Sequence, residues 1–242
     1  MRSAGRSGTR FGEAMLVKLL THTPEPERLV AAAARLCYSA SSVEQLLQQD
    51  SERREMLLAK ILSVGHLSTL EHVSFSFGIE GISRACSHQL VRHRLASYSQ
   101  QSQRYVSHKE RFGAVTPPSI AANPELNARF EAALEQMHLV YGELMEAGIP
   151  AEDARFVLPN AAETKLVMTM NARELLHFFA LRCCRRAQWE IRALAKEMLR
   201  QVRLVSPRLF AVGGPGCLHG ACPEGTMTCG RVDEVRKEFA DL

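Results

Sequence analysis

The chain has 242 residues, 46% of them hydrophobic, and a formal net charge of +4. This length and composition fit one globular domain, and no apolar run approaches the ~20 residues that cross a bilayer. The small positive surplus admits acidic ligands without requiring a polynucleotide.

Residues 1–14 mix Gly, Ser and Arg with no apolar stretch, which reads as a disordered leader and not a secretory signal. One domain is expected over residues 15–206, followed by a Cys/Gly/Pro-rich tail over 207–242. Residues 16–21 read as a short strand. Thr23-Pro24 reads as a helix start, with the Ala-rich run to Cys37 as the helix. Ser41-x-x-Glu44 is a capping-box pattern for the next helix. A further helix from about Ser51 should stop at Gly65, a left-handed cap. Val73, Phe75, Phe77 and Ile79 alternate with polar residues, the period of a half-buried strand. Residues 84–91 are ambiguous, and residues 95–105 lack a clean period, which suits a ligand loop beside a strand.

Asn123-Pro124 opens a long helix whose Leu126, Phe130, Ala133, Met137, Val140 and Leu144 share a face. Gly148 and Pro150 end it. Leu166, Met168 and Met170 alternate as a strand, and Asn171 can cap the following helix. Ile191, Leu194, Ala195, Met198 and Val202 mark one more amphipathic helix. The tail after Pro207 is expected to be mostly irregular. Helices around a small, mostly antiparallel sheet make the fold class α+β, without regular βαβ alternation.

Residues 92–104 carry the chemistry. They hold three Arg, one His, three Ser and three Gln with no acid. Arg forks and hydroxyls suit phosphate oxygens, where charge-assisted bonds are about twice as strong as neutral ones. Gln amides can read a base edge, because they donate and accept together. A solvated face or a nucleic-acid patch is the competing reading. Lys is missing from the run, and the chain's charge surplus is small, so a bound nucleotide is favoured and no nucleic acid is expected as partner.

Arg92-His93-Arg94, then seven residues, then Ser102-x-Arg104 resembles the signature of flavin-dependent thymidylate synthases, a thymidylate-synthase-complementing type of fold. Gly65-His66 with Glu71-His72 resembles the family's upstream block. Gln89, residues 155–159, Asn171-Ala172-Arg173, Arg182 and Gln188-Trp189-Glu190 resemble others, so the likeness runs over roughly residues 15–204. The resemblance implies reductive methylation of dUMP to dTMP. Methylenetetrahydrofolate would supply the carbon, FAD the hydride, and NADPH the reducing equivalents. It also implies a homotetramer with shared sites; the odd, scattered cysteines suit a reducing cytoplasm, and no membrane partner is expected.

Residue by residue, the resemblance places Gln89, Arg92, Ser102, Gln103, Arg104, Arg155 and Arg182 on dUMP, with Gln100 and Gln101 flanking the same loop. Arg182 takes the position that activates the uracil electrostatically. Ser68, Arg92, His93, Arg94, Gln100, Asn171, Arg173 and His177 take flavin positions. Many members carry an acid where this chain has Gln100, so an acid–base role is not expected there. Arg173 and His177 are four apart and share a helical face. Arg182 lies five beyond His177, about 140° around an ideal helix, and is placed to meet another ligand.

The seven Cys are scattered and odd in number, which argues against a disulfide framework. None has the setting of a nucleophile attacking the pyrimidine, and Cys183-Cys184 read as structural thiols in a helix. Cys217, His219, Cys222 and Cys229 offer soft ligands at spacings unlike a paired CxxC site. They read as an ordered thiol-bearing tail, and no metal is expected.

Overall fold

The computed structural model describes residues 15–48, 50–106, 112–240 and 242. The leader expected at residues 1–14 lies outside the described residues. Four antiparallel strands, β1 (Leu16–His22), β2 (Ser74–Ser83), β3 (Ala96–Gln100) and β4 (Glu163–Asn171), form one sheet in the order β1-β2-β4-β3. Alternation builds it. Phe75, Phe77 and Ile79 in β2, and Leu166, Met168 and Met170 in β4, are buried while their neighbours are not.

The helices are α1 (Pro26–Leu36), α2 (Val43–Leu47), α3 (Ser51–Ser63), α4 (Arg84–Leu90), α5 (Pro118–Ala121), α6 (Pro124–Glu146), α7 (Ala151–Ala154), α8 (Ala172–Arg182), α9 (Trp189–Val205) and α10 (Val232–Ala240). Helix α1 starts two residues later than Thr23-Pro24 implied, with Pro26 at its first turn. The capping box before α2 is Ser42 with Gln45, not Ser41 with Glu44. Ser42 Oγ accepts from the Gln45 amide at 3.3 Å, and Gln45 Oε1 accepts from the Ser42 amide at 3.0 Å. Gly65, at φ 70°, makes the expected left-handed stop after α3. The ambiguous residues 84–91 resolve mainly into α4.

Two compact units divide the described chain. The first comprises Leu16, Ile79–His88 and Gln100–Leu166, and the second Val17–Gly78, Gln89–Ser99 and Val167–Leu242. In the first unit, Phe112, Ala114, Leu134 and Ala162 form a buried cluster, with Phe130, Leu158 and Ala161 packed against it. This cluster sets the buried face of α6, and that face differs from the expected one. Leu134 and Tyr141 are buried, whereas Leu126 and Met137 stay exposed. Leu134 lies eight residues past Leu126, about 80° around the helix, so of the expected stripe Phe130 packs against the cluster while Leu126 and Met137 point away from it.

In the second unit, α9 buries Ile191, Leu194, Ala195, Met198 and Val202, as its period requires. The tail is more regular than its Gly and Pro content implied. Val235 and Phe239, four apart, are the buried anchors of α10. Arg203 on α9 donates to the carbonyls of Gly213 at 3.0 Å, Phe210 at 3.3 Å and Phe239 at 3.4 Å, which ties the tail to the unit. Among the described residues, no helix is long and apolar enough to cross a membrane.

Candidate active site

Helix α8 starts where Asn171 leaves β4. Asn171 Oδ1 accepts from the Glu174 amide at 2.9 Å, so the expected cap is present. From there Glu174, Phe178 and Arg182 recur every four residues and stack along one face. His93 lies across that face and touches all three. Its Nδ1 is 3.2 Å from Glu174 Oε1, its Nε2 is 3.0 Å from Arg182 Nε, and its ring meets Phe178 edge-on at 4.9 Å. An arginine Nε can only donate. The imidazole therefore accepts at Nε2, and Nδ1 carries the proton that is donated to the Glu174 carboxylate. His93 and Glu174 are only 5% and 7% exposed.

Burial holds the His93 imidazole below its ordinary pKa. The Glu174 hydrogen bond opposes that, while the charges of Arg182 and His177 add to it. Tyr98 fixes the preceding turn, its hydroxyl lying 2.9 Å from the Leu90 carbonyl and 3.0 Å from that of His93. Burial, helped by Glu174, pushes the Tyr98 phenol up, so it stays a neutral donor. Arg92 and Arg94 flank the buried His93 and are themselves exposed.

His93, Glu174 and His177 have ligand atoms close enough to hold a cation. The hydrogen bonding argues otherwise. Both His93 nitrogens are already engaged, and the guanidinium of Arg182 sits where a metal would have to compete with it. Among the described residues, the tail residues Cys217, His219, Cys222 and Cys229 form no such close set.

A cavity of about 1020 Å³ opens beside α8, lined by Asn171, Arg173 and His177 together with Leu62, Leu67 and Glu71. Three of the expected flavin residues thus face one space, with Arg173 paired to Glu71. Ser68 does not join them. It is exposed, next to the lining residue Leu67. Val212, Gly214, Gly216 and His219 complete the wall, a contribution from the tail that sequence reasoning missed.

In the first unit, the Gln100 side-chain amide donates to Ser87 Oγ at 3.0 Å and Thr164 Oγ1 at 3.1 Å. The Gln101 amide pairs with the Lys165 carbonyl at 2.9 Å. Ser102 Oγ accepts from the Arg104 amide at 3.1 Å, and the Arg104 guanidinium pairs with Glu152. Among the described residues, Gln103 Nε2 is buried without a hydrogen-bond partner, a donor that a nucleotide acceptor would satisfy. Arg155 stands near Arg84. Burial first, and then the Arg155 charge, push the Arg84 pKa down. Arg84 was not singled out in the sequence. Its only signal was a basic residue opening an ambiguous segment.

The family model for thymidylate synthase complementing proteins matches residues 18–208. The chain belongs to that family. A flavin-dependent thymidylate synthase from Geobacter sulfurreducens is 58% identical over 230 residues, covering 94% of this chain and 99% of that one. One from Pyrococcus furiosus is 42% identical over 238 residues, covering 92% and 96%. Among solved structures, the UMP/dUMP methylase PolB from Streptomyces cacaoi, bound with 5-Br dUMP, superposes with a TM-score of 0.72 at 24% identity. It covers 82% of this chain and 94% of that one, and it supports the fold assignment. With this family assigned, Asn171, Arg173 and His177 and the large cavity fit a flavin, and the unpartnered Gln103 donor fits a nucleotide.

Proposed function

We infer that this protein is a flavin-dependent thymidylate synthase. It converts dUMP to dTMP with methylenetetrahydrofolate as carbon donor, FAD as bound cofactor and NADPH as reductant. One observation carries the chemical reading. His93, its Nδ1 bonded to Glu174, accepts from Arg182 Nε at Nε2, and among the described residues no partner engages the guanidinium's terminal nitrogens. Such a fixed fork suits a uracil edge. It would stabilise negative charge as it develops on the ring, and a preorganised donor of this kind contributes about 3 kcal/mol.

When bound, FAD supplies the hydride. The chain's own residues bind, orient and exclude water. Asn171, Arg173 and His177 would hold the flavin, along with Arg92, Arg94 and Gln100, while His93, expected there too, has both ring nitrogens engaged and would instead orient Arg182. Gln89, Arg92, residues 100–104, Arg155 and Arg182 would hold dUMP, and Arg84 would add to the phosphate's electrostatic well. No thiol is needed as nucleophile. Burial pushes the Cys183 thiol up to about 12 and raises that of Cys217, so both stay protonated at neutral pH.

The catalytic domain is proposed as residues 15–206, with the tail over 207–242 closing the cavity wall. A cytoplasmic homotetramer is the proposed form, and the exposed Leu126 and Met137 on α6 supply apolar surface suited to subunit contact. Tritium release from dUMP labelled at carbon five tests the reading. Release should require methylenetetrahydrofolate and NADPH together, and Arg182→Ala should abolish it while the protein keeps its flavin. Near-normal release by that variant would remove Arg182 from the chemistry.

A further inference from the structure

We propose that Glu174 is a positioning residue for dUMP methylation: through His93 it selects the imidazole tautomer on which Arg182 docks, and so aims the guanidinium at the pyrimidine. The inference rests on the reading of Arg182 given above. Neither the composition of the 92–104 run nor the resemblance singled out Glu174.

The argument is one of hydrogen-bond polarity. A neutral imidazole has one N–H and one lone pair, and either nitrogen can hold the proton. Only the tautomer with hydrogen on Nδ1 can accept from Arg182 Nε, 3.0 Å away. The carboxylate at Nδ1 accepts and cannot donate, so it enforces that tautomer. An isosteric amide loses this selectivity. Its NH₂ can donate to a bare Nδ1, which moves the proton to Nε2 and sets two donors against each other at Arg182.

Backbone and packing hold the carboxylate in place. The Glu174 amide is capped by Asn171, and the ring it orients is pinned edge-on by Phe178. The other groups facing this ring are His177, at a centroid distance of 6.0 Å, and Tyr98, whose hydroxyl reaches the His93 carbonyl. A buried carboxylate is costly to desolvate unless it is paired, so its presence at a 7% exposed position calls for a task.

The test compares Glu174→Gln and Arg182→Ala with the unaltered FAD-loaded enzyme, using tritium release across pH. For Glu174→Gln, flavin content and KM for dUMP should stay within about threefold, while the plateau kcat falls roughly tenfold to a hundredfold. The acid limb of the kcat profile should also move to lower pH. Protonating His93 removes the acceptor for Arg182, and Glu174 favours that protonation, so replacing the carboxylate makes the imidazole harder to protonate. A purely structural role would not shift that limb.

A Glu174→Gln plateau within twofold of the parent with an unmoved limb overturns the proposal, as does loss of flavin in step with activity. Should the variant fail to fold, the ¹⁵N shifts of the His93 ring in the unaltered protein decide the matter. A protonated Nδ1 with a bare Nε2 near neutral pH supports the proposal, and the reverse tautomer overturns it. If Arg182→Ala retains turnover, the reading of Arg182 fails. If Arg182→Ala collapses while Glu174→Gln is normal, only the positioning role fails.

Discussion

Arg203→Met should loosen the tail and, through it, the cavity that Val212, Gly214 and His219 help to wall. The substitution keeps a long apolar stem and deletes three donations to carbonyls, at 3.0, 3.3 and 3.4 Å. Bonds from a charged group contribute about 1.5–3 kcal/mol each, and taking the short one as ~2 and the two long ones as ~1 each gives ~4 kcal/mol. Burial lowers the Arg203 pKa, so its removal recovers desolvation cost, leaving a net loss of ~2–3 kcal/mol. For a chain of this size that corresponds to a fall of ~5–10 °C in Tm. Thermal melts with flavin bound and stripped would measure it, and flavin fluorescence would report release. The flavin-loaded form should show the larger fall, because the wall and its ligand are lost together. A Tm within about 1 °C of the parent with unchanged flavin retention would refute this account of the tail.

Gln103→Leu should weaken dUMP binding roughly fivefold to thirtyfold, as one buried donor is lost, without lowering the Tm of the ligand-free protein, because among the described residues its Nε2 has no bond to break. Calorimetric titration and melts would separate the two effects. Gly214→Ala should cost ~1–3 kcal/mol in a denaturant titration, because the residue sits at φ 134° and an added Cβ would lie 2.5 Å from Leu218 Cδ1. Stability should also fall on acidification. The His93 pKa is depressed in the fold, so above about 6.5 both folded and unfolded forms are neutral and its contribution is complete. Below that value the unfolded chain takes up a proton first, and the contribution drains away until the lowered folded pKa is passed. Denaturant midpoints from pH 8 to 5 would show it, and a His93→Gln variant should flatten this part of the curve. Cys183, with its thiol pushed up to about 12, should resist iodoacetamide in the native protein at pH 8, whereas exposed Cys37 should react. Mass-spectrometric mapping of the labelled thiols checks this.

Local rules wrote much of the fold plainly. The alternation of Phe75, Phe77 and Ile79 gave a central strand. Asn171 capped its helix, and Gly65 ended α3 in the left-handed region. Errors arose where tertiary contacts choose among locally equivalent options. Two stripes of α6 are apolar enough to be buried, and the Phe112 cluster selects the one with Leu134 and Tyr141. Ser41 and Ser42 both precede an acid or amide three residues on, and chain geometry selects the second. In the tail, Gly and Pro masked the short Val235 and Phe239 period.

The site divides in the same way. The family blocks named Asn171, Arg173 and His177, and the fold gathers them at one cavity. Glu174 escaped notice because an acid in a first helical turn is ordinarily a dipole partner. Its spacing to Phe178 and Arg182 gains meaning only once His93 is seen to lie across all three.

A single anaerobic turnover tests the central claim most directly. The enzyme is reduced with NADPH, freed of excess reductant and mixed with dUMP and methylenetetrahydrofolate. The account predicts about one dTMP formed per flavin reoxidised, with no pyrimidine label on the acid-quenched polypeptide. Formation of dTMP while the flavin stays reduced, or label recovered on a cysteine, would contradict it.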